Sequence, residues 1–538
     1  MMGVFDTMKK EIGNLIQEAL TSLGIEGAQF VVEHPTDLKM GDYSTNVGIK
    51  TGKAKEILGY LEAKLPSELE RVEIAGPGFI NFYLSKEFFK ESLKEIGERG
   101  EGFGKSEHAK GFKGMVEHTD PNYFKKLHIG HYMPMTIGST LANIFRWNGA
   151  EVLEACYYSD VGLQAAKSVW AMKQGVVEDP YVYGTKAYDT DENAKKEITE
   201  INKKIYEHSD AEIEALYKAG SEESVEGFNA IYRRFGIDFD LYFYESEAAK
   251  VGGELVKKNI GTIFEKSDGA VVFQAEKYDP KLHTRVFINS EGIPTYEAKD
   301  LGLPGMKLEK FPYDLSVIVT ANEQKDYFKV LLEALRLVSP ELHKKTKHIS
   351  HGTLRLTTGK MSSRTGNVIL AEDLIEEVKE KVKNDEQVAI AAIKYMILRQ
   401  AIGNDIVFDF EKSVSTEGDS GVYLQYAHAR ACSILAKAFE LGKGADVKHS
   451  VLDRGTHEIE RLLYRFPEIV ERAGAEYAPN YVVTYLTELA SAFNNFYAHE
   501  QVLDNSPESA YRLAIVEAFK TVMKNGLTIL GIPAPERM

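Results

Sequence analysis

The stretch from Gly114 to Gly149 constrains this chain more than any other. A short apolar run, Gly114 to His118, breaks at Asp120-Pro121-Asn122. His128-Ile129-Gly130-His131 then opens a mostly apolar segment that stops at Gly149. The first run reads as a strand bounded by turn residues, and the second as a helix closed by glycine. Strand, loop and helix in that order form the first half of a nucleotide-binding βαβ unit. Free N–H groups and the positive end of the helix dipole gather at such a helix start and attract phosphate. His128 and His131, one turn apart there, offer N–H donors to phosphoryl oxygens as charge builds in a transition state.

Far downstream lies Gly359-Lys360-Met361-Ser362-Ser363-Arg364-Thr365-Gly366, two cations and two hydroxyls between bounding glycines. This suits a loop that closes positive charge over a polyphosphate. Either stretch alone is a weak signal. Both together, each in a fitting local context, are specific. In this order and far apart they resemble the HIGH and KMSKS signatures of class I aminoacyl-tRNA synthetases.

A chain of 538 residues is too long for one core, so several domains are expected. No apolar run approaches membrane-spanning length, and MMGVFDTMKKEIGNLIQEAL reads as an amphipathic helix with acids rather than a signal peptide. Cys156 and Cys432 give neither a disulfide framework nor metal-ligand spacing, so a reducing, cytoplasmic home is expected. A net charge of −16 favours solubility and leaves RNA contact to local basic and aromatic patches.

The expected fold class is multidomain α/β plus all-α. Residues 1–105 read as an α+β module, with a helix over Phe5 to Leu23, a strand over Ala28 to Glu33, a helix over Lys53 to Leu65 and a strand over Phe79 to Leu84. Phe79, Asn81 and Tyr83 share one strand face. An open face of that kind stacks and hydrogen-bonds an unpaired base; the alternative is a solvated face with an aromatic edge. Residues 106–410 read as a Rossmann-like catalytic domain around a parallel sheet, with the KMSS loop at 359–366. A charged, mostly helical insertion at about 171–280 reads as a solvated face without assignable chemistry. Thr295 to Asp300 is a polar strand end leading into a helix. Leu315 to Val319 is a buried strand ending in Ala321-Asn322-Glu323-Gln324, the carboxyl-end crevice where α/β sheets bind ligands. Ala371 to Ala401 reads as helical. Residues 411–538 form helix after helix. Tyr423, Tyr426 and Arg430 fall on one helix face, where they suit splayed RNA bases, or else the tyrosines are core and Arg430 snorkels.

The segments VEHTDPN, PGFINF, GIPTYEAKDLG, GKMSSRTGNVI, DSGVYLQYAHARACSIL, LASAFNNFY and LGIPAPERM resemble arginyl-tRNA synthetases over almost the whole chain. The resemblance implies ATP-dependent ligation of L-arginine to tRNA(Arg) through an arginyl-adenylate. ATP with Mg2+ would be a substrate complex, with no tightly bound protein metal and no membrane partner, and the enzyme would be a monomer. It implies catalytic roles for His128, His131 and Lys360. ATP would meet Lys125, His128, Gly130, His131, Lys360, Ser362 and Ser363. Arginine would meet Glu117, Asp120, Asn122, His128, Tyr296, Asp300 and Gln324; a guanidinium suits carboxylates in a fork geometry. The N-terminal module would read the tRNA elbow through Phe79 and Asn81. Tyr423, Tyr426, Arg430, Tyr497 and Met538 would face the anticodon in a helical bundle. Many members of the family need bound tRNA before they activate arginine.

The chain also departs from the family pattern. Asp120 stands where serine is usual, and Tyr132-Met133-Pro134 replaces Leu-Arg-Asn. Ser139 replaces an aspartate, and Val161 a tryptophan. Pro134 is expected to kink its helix. Two rivals stay open at this point: another class I synthetase, such as a lysine or cysteine enzyme, and a catalytically impaired tRNA-binding paralogue. For the cysteine enzyme, Cys156 and Cys432 cannot supply the expected zinc ligands.

Overall fold

The computed structural model describes residues 4–357, 369–447 and 456–538. The first strands, β1 (Val32–Glu33), β2 (Tyr43–Thr45), β3 (Leu69–Ala75) and β4 (Phe79–Leu84), form an antiparallel sheet in the order β1-β2-β4-β3. Ile12, Ile16 and Leu20 of helix Val4–Ser22 repeat every fourth residue and bury one stripe in the same core as Ile80 and Phe82 of β4. The strand expected from Ala28 contracts to Val32–Glu33, the pair that finds partners in Thr45 and Ser44. The open face expected on β4 needs a larger correction. β4 is a central strand, and Asn81 is buried, with its Oδ1 accepting from Ser44 Oγ at 2.7 Å. Tyr83 donates to the carbonyl of Lys39 at 3.1 Å. Phe79 alone of the three is exposed.

The next strands are β5 (Lys113–Glu117), β6 (Glu151–Tyr158), β7 (Leu241–Tyr244), β8 (Glu265–Ser267), β9 (Ala270–Phe273), β10 (Arg285–Ile288), β11 (Leu315–Ala321) and β12 (Thr346–His351). β8, β9 and β10 make a small antiparallel sheet. The other five form one sheet in the order β12-β11-β5-β6-β7, with every pair parallel. The chain winds outward from β5 through β6 to β7, then returns to lay β11 and β12 on the other side of β5. This is doubly wound topology, and its switch point lies between β5 and β11. Ligands bind such sheets in the crevice beyond the carboxyl ends of those two strands.

The helix expected over Ala371 to Ala401 is two helices, Ala371–Lys381 and Glu386–Leu398. Lys383 and Asn384 adopt left-handed backbone between them, and Asp385 caps the second by accepting from the amides of Gln387 and Val388. Val388 through Leu398 are all buried, so this helix is a stem between the sheet and the C-terminal bundle. The bundle comprises helices Gly421–Glu440, Glu458–Leu463, Phe466–Glu476, Asn480–His499 and Ser509–Ile529. Gly421 lets the first of them meet the stem closely, since a Cβ there would lie 2.3 Å from the carbonyl oxygen of Ala391. The N-terminal module docks on the bundle through Arg461 Nε to Asp42 at 2.8 Å and Tyr43 OH to Glu468 at 2.6 Å.

Candidate active site

The loop after β5 is held to the end of β6 by backbone. The amide of Ser159 donates to Pro121 O at 3.2 Å, and that of Tyr123 to Ser159 O at 3.0 Å. Thr119, Asp120 and Phe124 take left-handed backbone, unusual outside glycine, so the loop between them is tightly specified. His128, Gly130 and His131 follow as a single 3-10 turn, Ile129–His131, running into the α-helix Tyr132–Trp147. That helix is unbroken across Pro134, which sits in its first turn, where a fixed φ is tolerated.

The two imidazoles lie with ring centroids 4.0 Å apart. Nδ1 of His128 accepts the Gly130 amide at 3.1 Å, and Nδ1 of His131 accepts the His128 amide at 3.0 Å. A backbone amide can only donate, so Nδ1 of His128 carries no proton and its Nε2 carries one; Nδ1 of His131 also lies 3.2 Å from the His128 carbonyl, so its contacts fit either tautomer. Burial lowers His131 to about 3, and burial with the nearby Lys125 ammonium lowers His128. Both rings are therefore neutral N–H donors at physiological pH. Gly130 makes room for this arrangement: a Cβ there would lie 2.8 Å from Cε1 of His128. Lys125 itself lies 4.5 Å from the ring centroid of Tyr181.

Lys360, Ser362 and Ser363 lie outside the described residues. The chain that follows them returns beside the histidine turn. Ile129 N donates to Ile369 O at 3.1 Å, Ala371 N donates to Leu127 O at 2.9 Å, and His128 bridges Leu370 antiparallel. Tyr132, one of the departures, donates its hydroxyl to Ala371 O.

A buried group of carboxylates gathers around the carboxyl end of β5. Glu117 ends β5 and meets the buried Lys307 Nζ at 2.5 Å. Lys307 is a partner that sequence reading did not single out. Asp120 accepts the Tyr157 amide at 2.8 Å, so it neither simply faces solvent nor stands free. Burial, then the Glu117 charge, pushes its carboxyl well above the carboxylate range. Asp300 accepts from Tyr327 OH at 2.5 Å. Burial pushes Asp300 up to about 7; the Tyr327 bond opposes this, and Glu245 and Glu117 add to it. Glu245 pairs with Lys299 at 2.6 Å, and Tyr206 stands within hydrogen-bond reach of that lysine. Four carboxylates thus face two ammonium groups. This deficit of positive charge suits a cation, and the paired oxygens suit a planar fork. Among the described residues, no cluster has metal-ligand character.

Glu245 and Tyr206 belong to the stretch read as an insertion without chemistry, so that expectation is corrected. Their signal was hidden, because a charged helix has the same pattern whether it faces water or closes over a site. Tyr296 heads the helix Tyr296–Lys310 and is 53% exposed. Asn122 bridges Ser159 at the end of β6, and Gln324 is exposed at the end of β11, on the rim of the crevice.

A second cluster lies in the bundle. Arg430 NH1 donates to Asn494 Oδ1 at 2.6 Å, and Asn494 Nδ2 donates to Tyr423 OH at 2.9 Å. The guanidinium carbon of Arg430 is 4.8 Å from the Tyr426 centroid and 5.8 Å from that of Tyr497. Tyr426, Tyr497 and Met538 are all exposed. Asn494 was not among the residues expected here.

Three family models match the chain: the arginyl tRNA synthetase N terminal domain over residues 10–84, the tRNA synthetases class I (R) catalytic domain over 100–410, and the DALR anticodon binding domain over 424–538. An arginine–tRNA ligase of Streptococcus mutans is 32% identical over 94% of this chain and 96% of its own length. One from Halothermothrix orenii is 28% identical over 98% and 99%. The solved arginyl-tRNA synthetase of Thermus thermophilus superposes with a TM-score of 0.74 at 25% identity, covering 99% of this chain and 100% of that one. These relatives give no support to a different amino acid or to a silent paralogue.

Proposed function

The chain belongs to the arginyl-tRNA synthetase family, and from that premise we propose how its residues divide the work. The reaction is ATP-dependent ligation of arginine to tRNA through an arginyl-adenylate. The arginine carboxylate attacks the α-phosphate of MgATP and pyrophosphate leaves. The 2′-hydroxyl of the terminal adenosine then attacks the arginyl carbonyl and AMP leaves.

Asp300 and Asp120 receive the guanidinium, with Glu117 completing the wall behind them. Tyr296 borders the pocket, and Asn122 and Gln324 hold the ammonium and carboxylate end. Nε2–H of His128 and the ring N–H of His131 donate to phosphoryl oxygens. Gly130 and Lys125 line the path of ATP, and Lys360, Ser362 and Ser363 take the pyrophosphate. No side chain acts as a covalent nucleophile; rate comes from positioning and fixed donors. Phe79, exposed at the start of β4, meets the tRNA elbow, while the buried Asn81 stays out of that contact. Tyr423, Tyr426, Arg430, Tyr497 and Met538 meet the anticodon.

The observation that carries this assignment is the undercompensated carboxylate cluster at the end of β5, with two neutral imidazoles on the loop that leaves the same strand. ATP–pyrophosphate exchange with each candidate amino acid, with and without tRNA, tests it. Exchange is expected with arginine and to rise with tRNA. Equal exchange with lysine would remove the carboxylates from specificity.

A further inference from the structure

Lys394 is buried in the stem helix, and its ammonium is spent on two backbone carbonyls, Phe235 O at 2.7 Å and Gly531 O at 2.6 Å. Both carbonyls lie at helix C-termini. Phe235 is the last residue of helix Ala211–Phe235, and Gly531 follows helix Ser509–Ile529 of the bundle. Helix ends carry unpaired carbonyls and the negative pole of the dipole, so an ammonium between two of them is a charged cross-link. Gly531 has φ +62°, and a Cβ there would lie 2.9 Å from Nζ, so the ammonium comes close to the turn itself. Burial lowers Lys394 to about 8, with Glu154 opposing, which leaves it mostly charged at neutral pH.

The cross-link bears directly on the histidine turn. The Phe235 ring stacks on Tyr132 at 4.4 Å and 17°. Tyr132 follows His131 in sequence and donates to Ala371 O, beside the strand bridge that holds His128. About three turns further along the same helix, Asn143 donates to Ile529 O at 3.2 Å, so the helix that starts at Tyr132 is tied to the same bundle end.

We infer that Lys394 is a positioning residue for arginylation: it fixes Phe235 against the bundle end at Gly531, and Phe235 in turn fixes Tyr132 and the His128–His131 turn. The inference rests on the assignment of those histidines to the phosphoryl group.

Arginylation kinetics of full-length Lys394→Met, Phe235→Leu and the double variant test it, with tRNA binding measured alongside. Each single variant should lose at least about tenfold in kcat while KM for arginine and ATP stays within about twofold and tRNA affinity is unchanged. Because the two residues act along one line, the double variant should be no worse than the poorer single. A folded variant with kcat within about twofold of wild type overturns the inference, as do losses that multiply in the double variant. If Lys394→Met does not fold, Phe235→Leu decides alone, since it leaves both carbonyls to the ammonium. His128→Ala in the same assay keeps the two readings apart. Full activity there with loss in Lys394→Met would sink the histidine assignment and leave Lys394 as a positioning residue for another group.

Discussion

The Gly130 amide donates to Nδ1 of His128 across 3.1 Å, so the backbone itself selects the tautomer of that imidazole. The donor proposed to meet the substrate is then Nε2–H of His128, and substitutions can mimic one nitrogen at a time. Glutamine carries its amide nitrogen near the Nε2 position, whereas asparagine reaches only as far as Nδ1. His128→Ala is expected to lose two to four orders of magnitude, roughly, in arginylation, with tRNA binding intact. His128→Gln should retain clearly more activity than His128→Asn. Equal losses in those two would show that Nε2 is not the working atom.

Asp300 gives a prediction in which stability and binding move in opposite directions. Its carboxyl is raised to about 7, chiefly by burial, against about 3.9 in an unfolded chain. Between those values the folded state holds a proton that the unfolded state has released. Stability of the free protein from this group is therefore full below about pH 4 and declines as pH rises through about 7. Arginine binding below pH 7 should release protons, and affinity should strengthen as pH rises to 7. Titration calorimetry in buffers of different ionisation enthalpy reads the proton count directly. Asp300→Asn should reduce the release, raise Tm at pH 8 and weaken arginine binding by a factor on the order of 100. Unchanged proton release in that variant would assign it to Asp120.

What was legible in the sequence was whatever is decided over a few residues. The histidine turn and the strand before it are local, and His128, Gly130 and His131 build their hydrogen bonds among themselves. The parallel strand at Leu315 was legible from its apolar run. Asn81 shows where that kind of reading stops. Alternation puts it on the face of Phe79 and Tyr83, but the cover on that face includes Ser44, on a strand whose pairing a period of two cannot disclose. The same holds for Glu117, whose partner Lys307 lies in a helix that follows three strands of another sheet. Tyr206 and Glu245 were hidden for a different reason. Their helices are rich in charge, and periodicity distinguishes inner from outer face without naming what lies inside.

The Glu117–Lys307 pair is buried on both sides, so removing one member leaves an uncompensated charge. Lys307→Met should destabilise the chain by about 3–5 kcal/mol in urea unfolding. The double variant Glu117→Gln with Lys307→Met should recover most of that loss, because the pair as a whole adds little beyond what its own desolvation costs. Additive losses in the double variant would mean that Lys307 stabilises through other groups, of which Ser316 at 3.4 Å is one.

Arg430 is held in place by Asn494, and Asn494 by Tyr423, so the face proposed to meet the anticodon is a braced guanidinium between two exposed aromatic rings. Bases stacked on such planes contribute about 1–3 kcal/mol each. Arg430→Ala should raise KM for tRNA by at least about tenfold and leave KM for arginine and ATP unchanged. Asn494→Leu keeps the guanidinium and removes its brace. If the geometry of the cluster matters, that variant should reproduce a substantial part of the loss in tRNA affinity. Tyr423→Phe removes one hydroxyl and should cost less than Asn494→Leu, since it leaves the Arg430–Asn494 bond in place. Filter binding with purified tRNA, repeated across a salt series, separates lost charge from lost placement: Arg430→Ala flattens the salt dependence, and Asn494→Leu weakens binding at every salt with the slope retained. A flattened slope in Asn494→Leu would mean that the guanidinium had turned away from the RNA altogether.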